Sequence, residues 1–174
     1  LPLAKGGACA LAIDLRDNPG GTLDSVLQIA ALFMRDSDTL LTVRTRFDET
    51  SITKEYFDKH PEHEVKHLGA LKECRAVLVI NGESASASEI LASALHDWGH
   101  RVVGTRSYGK GVGQTDYGLA DGGRFLLTTF EFLAGNKKTL IHDVGVIPDY
   151  TVGDTRTNVV DAQLEKAIEL LTSN

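Results

Sequence analysis

The 174 residues contain two cysteines, four prolines, one tryptophan and one methionine, and aromatic residues make up 6% of the chain. Cys9 and Cys74 are too few and too isolated to read as a metal site or a disulfide framework. They neither demand nor forbid an oxidising compartment. No uninterrupted apolar run approaches the roughly 20 residues that a membrane helix requires. Excess positive charge is also missing: the net charge is −6, which argues against a nucleic-acid surface. There is no internal repeat and no low-complexity tract. His60, His63 and His67 lie in a polar stretch that also holds Pro61, so zinc is not expected there. No basic segment followed by an apolar stretch opens the chain, which reads as the core of a longer precursor.

What is present is a chain with an ordinary apolar share of 42%, long enough for one domain with a proper core. It is organised around Val77–Asp97. An apolar run to Ile80 reads as a buried strand, Asn81-Gly82-Glu83 breaks it, and Ser84-Ala85-Ser86-Ala87-Ser88 leads into a helical pattern of Ile90, Leu91, Ala94 and Leu95. The turn places hydroxyls where unpaired N–H groups and the helix dipole favour negative charge. Such a place suits a nucleophile and an oxyanion. The plainer reading is that one serine caps the helix.

Either side of this centre, Ala8–Leu15 reads as a buried strand, 16–21 as a turn, and Thr22 as the N-cap of a helix along Leu23, Val26, Leu27 and Ala30. Leu40–Arg46 is a strand, and Phe47–Leu68 a polar surface excursion. Arg101–Gly104 is a short strand and Thr105–Gln114 a glycine-rich loop. Phe125–Phe132 is a strand and Asp149 to Val160 a coil. A closing helix has Leu164, Ala167, Ile168 and Leu171 on its inner face. Strand–helix alternation implies an α/β domain with a mainly parallel sheet and flanking helices.

Two strand-to-helix junctions share one design. Asn18-Pro19-Gly20-Gly21 and Gly82–Ser88 each put pliable backbone at a helix start, so that the amide of Gly20 or Gly21 could meet that of Ala87 beside Ser86. Tyr108-Gly109-Lys110-Gly111 isolates a lysine between glycines. Gly104 to Lys110 nearly spells a phosphate loop, but Gly111 stands where Ser or Thr belongs and no helix follows. Ser107-x-x-Lys110 copies the SxxK of penicillin-binding proteins, yet that motif needs a helix and the glycines oppose one. Ser86, Asp97 and His142 occur in the order of a Ser–His–Asp hydrolase, but 82–86 misses GxSxG.

Taken together, DLRDNPGG (14–21), NGESASASEILASALHD (81–97), GTRSYGKGVGQ (104–114) and GVIPDY (145–150) resemble the carboxyl-terminal processing (tail-specific) protease family. The resemblance implies a ClpP/crotonase-like α/β core and serine endopeptidase activity through a Ser–Lys dyad and an acyl-enzyme. It implies Ser86 as nucleophile, Lys110 as general base and Gln114 as the residue orienting that lysine. By the same resemblance Gly20, Gly21 and Ala87 match the oxyanion hole, and Asp97 supports the site. No cofactor is implied. The expected substrates are polypeptides with apolar C-terminal tails. A PDZ domain and further N-terminal sequence are expected in the full-length protein, with residues 1–174 forming one catalytic core. The implied compartment is periplasm, cell envelope or chloroplast lumen. To act as a base Lys110 must be neutral, which costs roughly 4–5 kcal/mol of destabilised charge and calls for a closed, apolar pocket. The competing expectation is a non-catalytic binding module of the same fold.

Overall fold

A computed structural model describes residues 9–60, 65, 67–155 and 160–173. The chain runs β1 (Ala10–Asp14), α1 (Leu23–Ala31), β2 (Thr39–Arg44), β3 (Glu49–Thr53), α2 (Lys54–Lys59), β4 (Arg75–Ile80) and α3 (Ala87–Asp97). It continues β5 (Arg101–Gly104), β6 (Val112–Gly118), β7 (Arg124–Ala134), β8 (Thr139–Leu140), β9 (Tyr150–Thr151) and α4 (Ala162–Thr172).

Strands β1, β4, β5 and β9 form a parallel sheet in the order β1-β4-β5-β9. Alternation along β4 separates two cores. Ala76, Leu78 and Ile80 face the larger one, with α1 and α3. Val77 and Val79 face the smaller, with Val103 and Ala167. Burying both faces explains why β4 reads as an unbroken apolar run. Each fully buried aliphatic side chain here is worth about 1.5–3 kcal/mol.

The other strands form an antiparallel sheet, β3-β2-β7-β6, with β8 on β7. The expected parallel sheet and flanking helices are present, but this second sheet was not legible. Its strands are joined by short connections such as Thr45–Asp48, where the Thr45 hydroxyl accepts from Phe47 and Asp48 N–H. Short hairpin loops impose antiparallel pairing. The Phe47–Leu68 excursion accordingly holds β3 and α2, with Pro61 and His63 outside the described residues. Helix α3 packs between the parallel sheet and the β2–β7 pair, which buries it from Ser88 to Leu95.

Two further expectations are corrected. Cys9 and Cys74 form a disulfide that ties the start of β1 to the start of β4. They are 65 residues apart in sequence and become neighbours only because β1 and β4 pair in register. On α4 the buried side is Gln163 and Ala167, while Ile168 is half exposed. Gln163 is buried because its side chain donates to Val152 O and accepts from Arg16. Among the described residues no helix is long and apolar enough to cross a membrane.

Candidate active site

The connections leaving the carboxyl ends of β1, β4 and β5 converge. The buried hydroxyl of Ser84 donates to Leu15 O at 2.8 Å and accepts from Asn81 N–H at 3.0 Å. Asn81 accepts from the N–H groups of Asp17 and Glu83 and donates to the Asp17 carboxylate. Ala85 N–H donates to Asn18 O, and Tyr108 N–H to Ser84 O. Beneath this web Arg16, with 4% of its side chain exposed, bridges Asp14 and Asp161. The hydrogen bonds from Arg16 hold the Asp14 carboxyl below the usual carboxylate range.

Gly20 shows why the NPGG turn needs glycine. Its φ of +101° favours a residue without a side chain. A Cβ there would lie 2.7 Å from Ala85 O and 2.8 Å from Ala87 N. The first loop therefore presses directly on the turn before α3. Gly20 N–H donates to the Asn18 side chain. Among the described residues no hydrogen bond engages the N–H of Gly21 or of Ala87. A cavity of about 100 Å³ opens beside these two residues, walled by Val26, Ile29 and Leu91.

Ser86 stands at the N-cap of α3 with φ 55° and ψ −117°, a left-handed conformation costly for a residue with a side chain. Strain of this size persists only where surrounding bonds over-determine it. Here Ser86 N–H donates to Glu89 Oε2 at 2.9 Å, and its carbonyl accepts from the N–H groups of Glu89 and Ile90. The Glu89 carboxylate is fully buried and also binds the third loop. Oε1 accepts from the Ser107 hydroxyl and Gly109 N–H, both at 2.6 Å, and Oε2 from Lys110 N–H at 2.8 Å. Sequence reasoning missed Glu89. The signal was there: Ser86-x-x-Glu89 spells a capping box.

The structure thus gathers the backbones of Gly20, Gly21, Ser86, Ala87 and Lys110, but three side chains depart from expectation. The Lys110 side chain is exposed, not enclosed. Its loop is pinned through backbone amides, and both neighbours are glycines, so nothing local covers the ammonium group. Gln114 is exposed on β6 opposite Thr128, and no hydrogen bond joins it to Lys110 among the described residues. Asp97 lies at the far end of α3, about 16 Å along the axis from Ser86. There it pairs with Lys137 at 2.7 Å and packs under Gly135, so it supports the β7–β8 turn. This pairing also leaves Asp97 unavailable to His142, whose acidic neighbour among the described residues is Asp143 at 3.8 Å. No group of three metal-ligating side chains occurs among the described residues.

At the other end of the sheet the side chain of Asp149, of the GVIPDY block, is 18% exposed. Burial raises its pKa, but the hydrogen bonds from Val102 N–H and His96 outweigh this and hold it low. The GVIPDY block therefore serves to fix α3 and β5 in place.

Comparison with known proteins gives this geometry its family. The profile of peptidase family S41 matches residues 2–152. The chain belongs to that family. It is 37% identical over 145 residues to the carboxyl-terminal-processing peptidase 1, chloroplastic, of Arabidopsis thaliana, covering 83% of this chain and 27% of that protein. It is 33% identical over 177 residues to the carboxyl-terminal-processing protease of Synechocystis sp., covering 98% of this chain and 38% of the relative. Among solved structures it superposes on a photosystem II D1 C-terminal processing protease with a TM-score of 0.71. That match has 26% identity and covers 95% of this chain and 39% of the other. The tricorn protease shares the fold, with a TM-score of 0.58 at 20% identity over 93% of this chain and 15% of its own. The chain thus spans well under half the length of these relatives.

Proposed function

We propose that this chain is the catalytic core of a serine endopeptidase that cleaves polypeptides near their C-terminal tails, with Ser86 as nucleophile and Lys110 as general base. The observation that carries the reading is the strained Ser86 elbow, tied by Glu89 to the backbone of the lysine loop. The oxyanion of the acyl-transfer step is held by Ala87 N–H together with Gly21 N–H, since Gly20 N–H is already engaged by Asn18. The small apolar cavity beside them takes the side chain preceding the cut bond.

Lys110 attains its neutral form only when desolvated. In the open site that desolvation comes from the substrate, whose chain covers the ammonium group on binding and brings Gln114 into play as its orienting partner. Ser86 then loses its proton to Lys110, attacks the carbonyl carbon, and Lys110 returns the proton to the departing amine. Water enters by the same route to release the acyl group.

The relatives' names speak of carboxyl-terminal processing and, for two of them, of chloroplasts or the D1 protein. For this chain we take the substrate to be an unfolded polypeptide with an apolar tail, presented by a PDZ domain elsewhere in the full-length protein. The Cys9–Cys74 disulfide suits an oxidising compartment such as a periplasm, cell envelope or lumen.

Incubation of the protein, within its full-length chain, with an unfolded reporter ending in an apolar tail tests this. Mass spectrometry should show fragments that vanish in both Ser86→Ala and Lys110→Ala. The exposure of Lys110 favours one alternative, a non-catalytic binding module of the same fold. Binding of the reporter without cleavage would establish that alternative instead.

A further inference from the structure

We propose that Glu89 is a positioning residue that sets the separation of the nucleophile and the base. The inference rests on the Ser86–Lys110 reading above. A helix-capping role explains only one of the bonds to this carboxylate, the one from Ser86 N–H. The other three come from Ser107, Gly109 and Lys110, on the loop after β5. An ionised carboxylate offers about four acceptor sites. Four donors fill them, two on each oxygen, and no cation pairs with Glu89 among the described residues. The group is fully buried, so its contacts are with protein rather than with bulk water.

The arrangement of the donors matters more than their number. Oε2 receives Ser86 N–H at 2.9 Å and Lys110 N–H at 2.8 Å, so one atom bridges the two residues of the dyad. Oε1 receives Gly109 N–H and the Ser107 hydroxyl, which itself accepts from Val146 N–H. The first oxygen fixes spacing, and the second anchors the loop from behind. Among the described residues neither Ser86 nor Lys110 has another tie to the other's loop of comparable directness. Tyr108 N–H to Ser84 O is the nearest equivalent. Glutamine in place of Glu89 has the same shape but only one acceptor oxygen. Whichever way the amide turns, its NH2 faces two N–H or O–H donors, and one side of the clamp opens.

The test pairs Glu89→Gln with Ser107→Ala in the full-length protein. Ser107→Ala removes a buried hydrogen bond to the same carboxylate and leaves both Oε2 bonds intact. Glu89→Gln should lower kcat at least 100-fold with KM within threefold, while Ser107→Ala should stay within fivefold of the unaltered protein. Amide hydrogen exchange gives a readout independent of cleavage. In Glu89→Gln the amides on the side the NH2 takes, Ser86 with Lys110 or else Gly109, should exchange at least tenfold faster, with those of Val77–Ile80 unchanged. If Glu89→Gln does not fold, Glu89→Asp, too short to reach both loops, carries the same expectations. Activity of Glu89→Gln within fivefold, an equal loss in Ser107→Ala, or faster exchange spread through β4 would overturn the proposal. Full cleavage by Ser86→Ala and Lys110→Ala would instead sink the dyad, and the exchange pattern alone would then decide whether Glu89 holds the two loops.

Discussion

Ser86 and Lys110 donate their backbone N–H groups to one atom, Oε2 of Glu89, at 2.9 and 2.8 Å. The two residues stand 24 positions apart in sequence and belong to different loops. Their common acceptor makes the start of α3 and the loop after β5 a single rigid unit. What the clamp does not fix is the lysine side chain, which projects into solvent. The site is therefore built in its backbone and open in its side chains, as the proposed function requires if the substrate is to complete the enclosure.

Gly20→Ala tests the contact between the loop after β1 and the turn before α3. The new Cβ would press on Ala85 O and Ala87 N, and the residue would hold an unfavourable φ of +101°. Left-handed strain costs about 1–3 kcal/mol before any clash is counted. Thermal unfolding should show a Tm lower by roughly 5–10 °C, with peptidase activity lost even at temperatures where the variant stays folded. An unchanged Tm would mean that the two loops do not meet as described.

Asn81→Ala removes two bonds that join its loop to Asp17 and one within its own loop, from Glu83 N–H. Leaving buried donors and acceptors unpaired costs about 2–3 kcal/mol. Urea unfolding should report a loss of that order, and kcat should fall further than KM rises. A variant with full stability and activity would show that Ser84 and Asn18 suffice to hold the junction.

Reduction tests the disulfide. Cys9–Cys74 closes a loop of 65 residues. Chain-entropy reasoning assigns such a crosslink about 4 kcal/mol. Dithiothreitol, or Cys74→Ala, should lower Tm by roughly 8–15 °C, with both thiols becoming alkylatable in the reduced protein. Equal Tm values with and without reductant would contradict a bridge that braces the edge strand β1.

His100 supplies a pH dependence outside the carboxylate range. Burial, followed by the charge of Arg35, pushes its pKa below the ordinary 6.5. The unfolded chain then binds a proton at pH values where the folded one does not, so stability is full above about pH 6.5 and falls as pH drops toward the folded value. Tm measured from pH 8 to pH 5 should decline across that window. The decline should flatten in His100→Gln, which keeps an acceptor for Ala76 N–H without titrating.

Most of the parallel half of the fold was legible, because β1, β4 and β5 are apolar runs bounded by Gly, Asn and Pro. The strand over Arg101–Gly104 and the cap at Thr22 match the structure. Of the antiparallel half, β2 and β7 were legible as strands, but β3 and β6 were not, since β6 is largely exposed and shows no alternation to read. Cys9 and Cys74 could be paired only by knowing that β1 lies beside β4. Glu89 was passed over because a glutamate three residues after a serine reads as a cap. Nothing local reveals that a loop 20 residues away supplies three further donors. Lys110 departed from expectation in the opposite sense: a closed pocket was expected, and the glycines on either side leave the residue exposed.

The most direct test of the central claim is the rate at which a fluorophosphonate phosphonylates Ser86, with loss of fluoride, in the full-length protein, compared with Lys110→Ala and His142→Ala. The account predicts a single adduct on Ser86, formed at least 100-fold more slowly in Lys110→Ala and at the original rate in His142→Ala. An adduct on another serine, or labelling that survives Lys110→Ala and fails in His142→Ala, would contradict it.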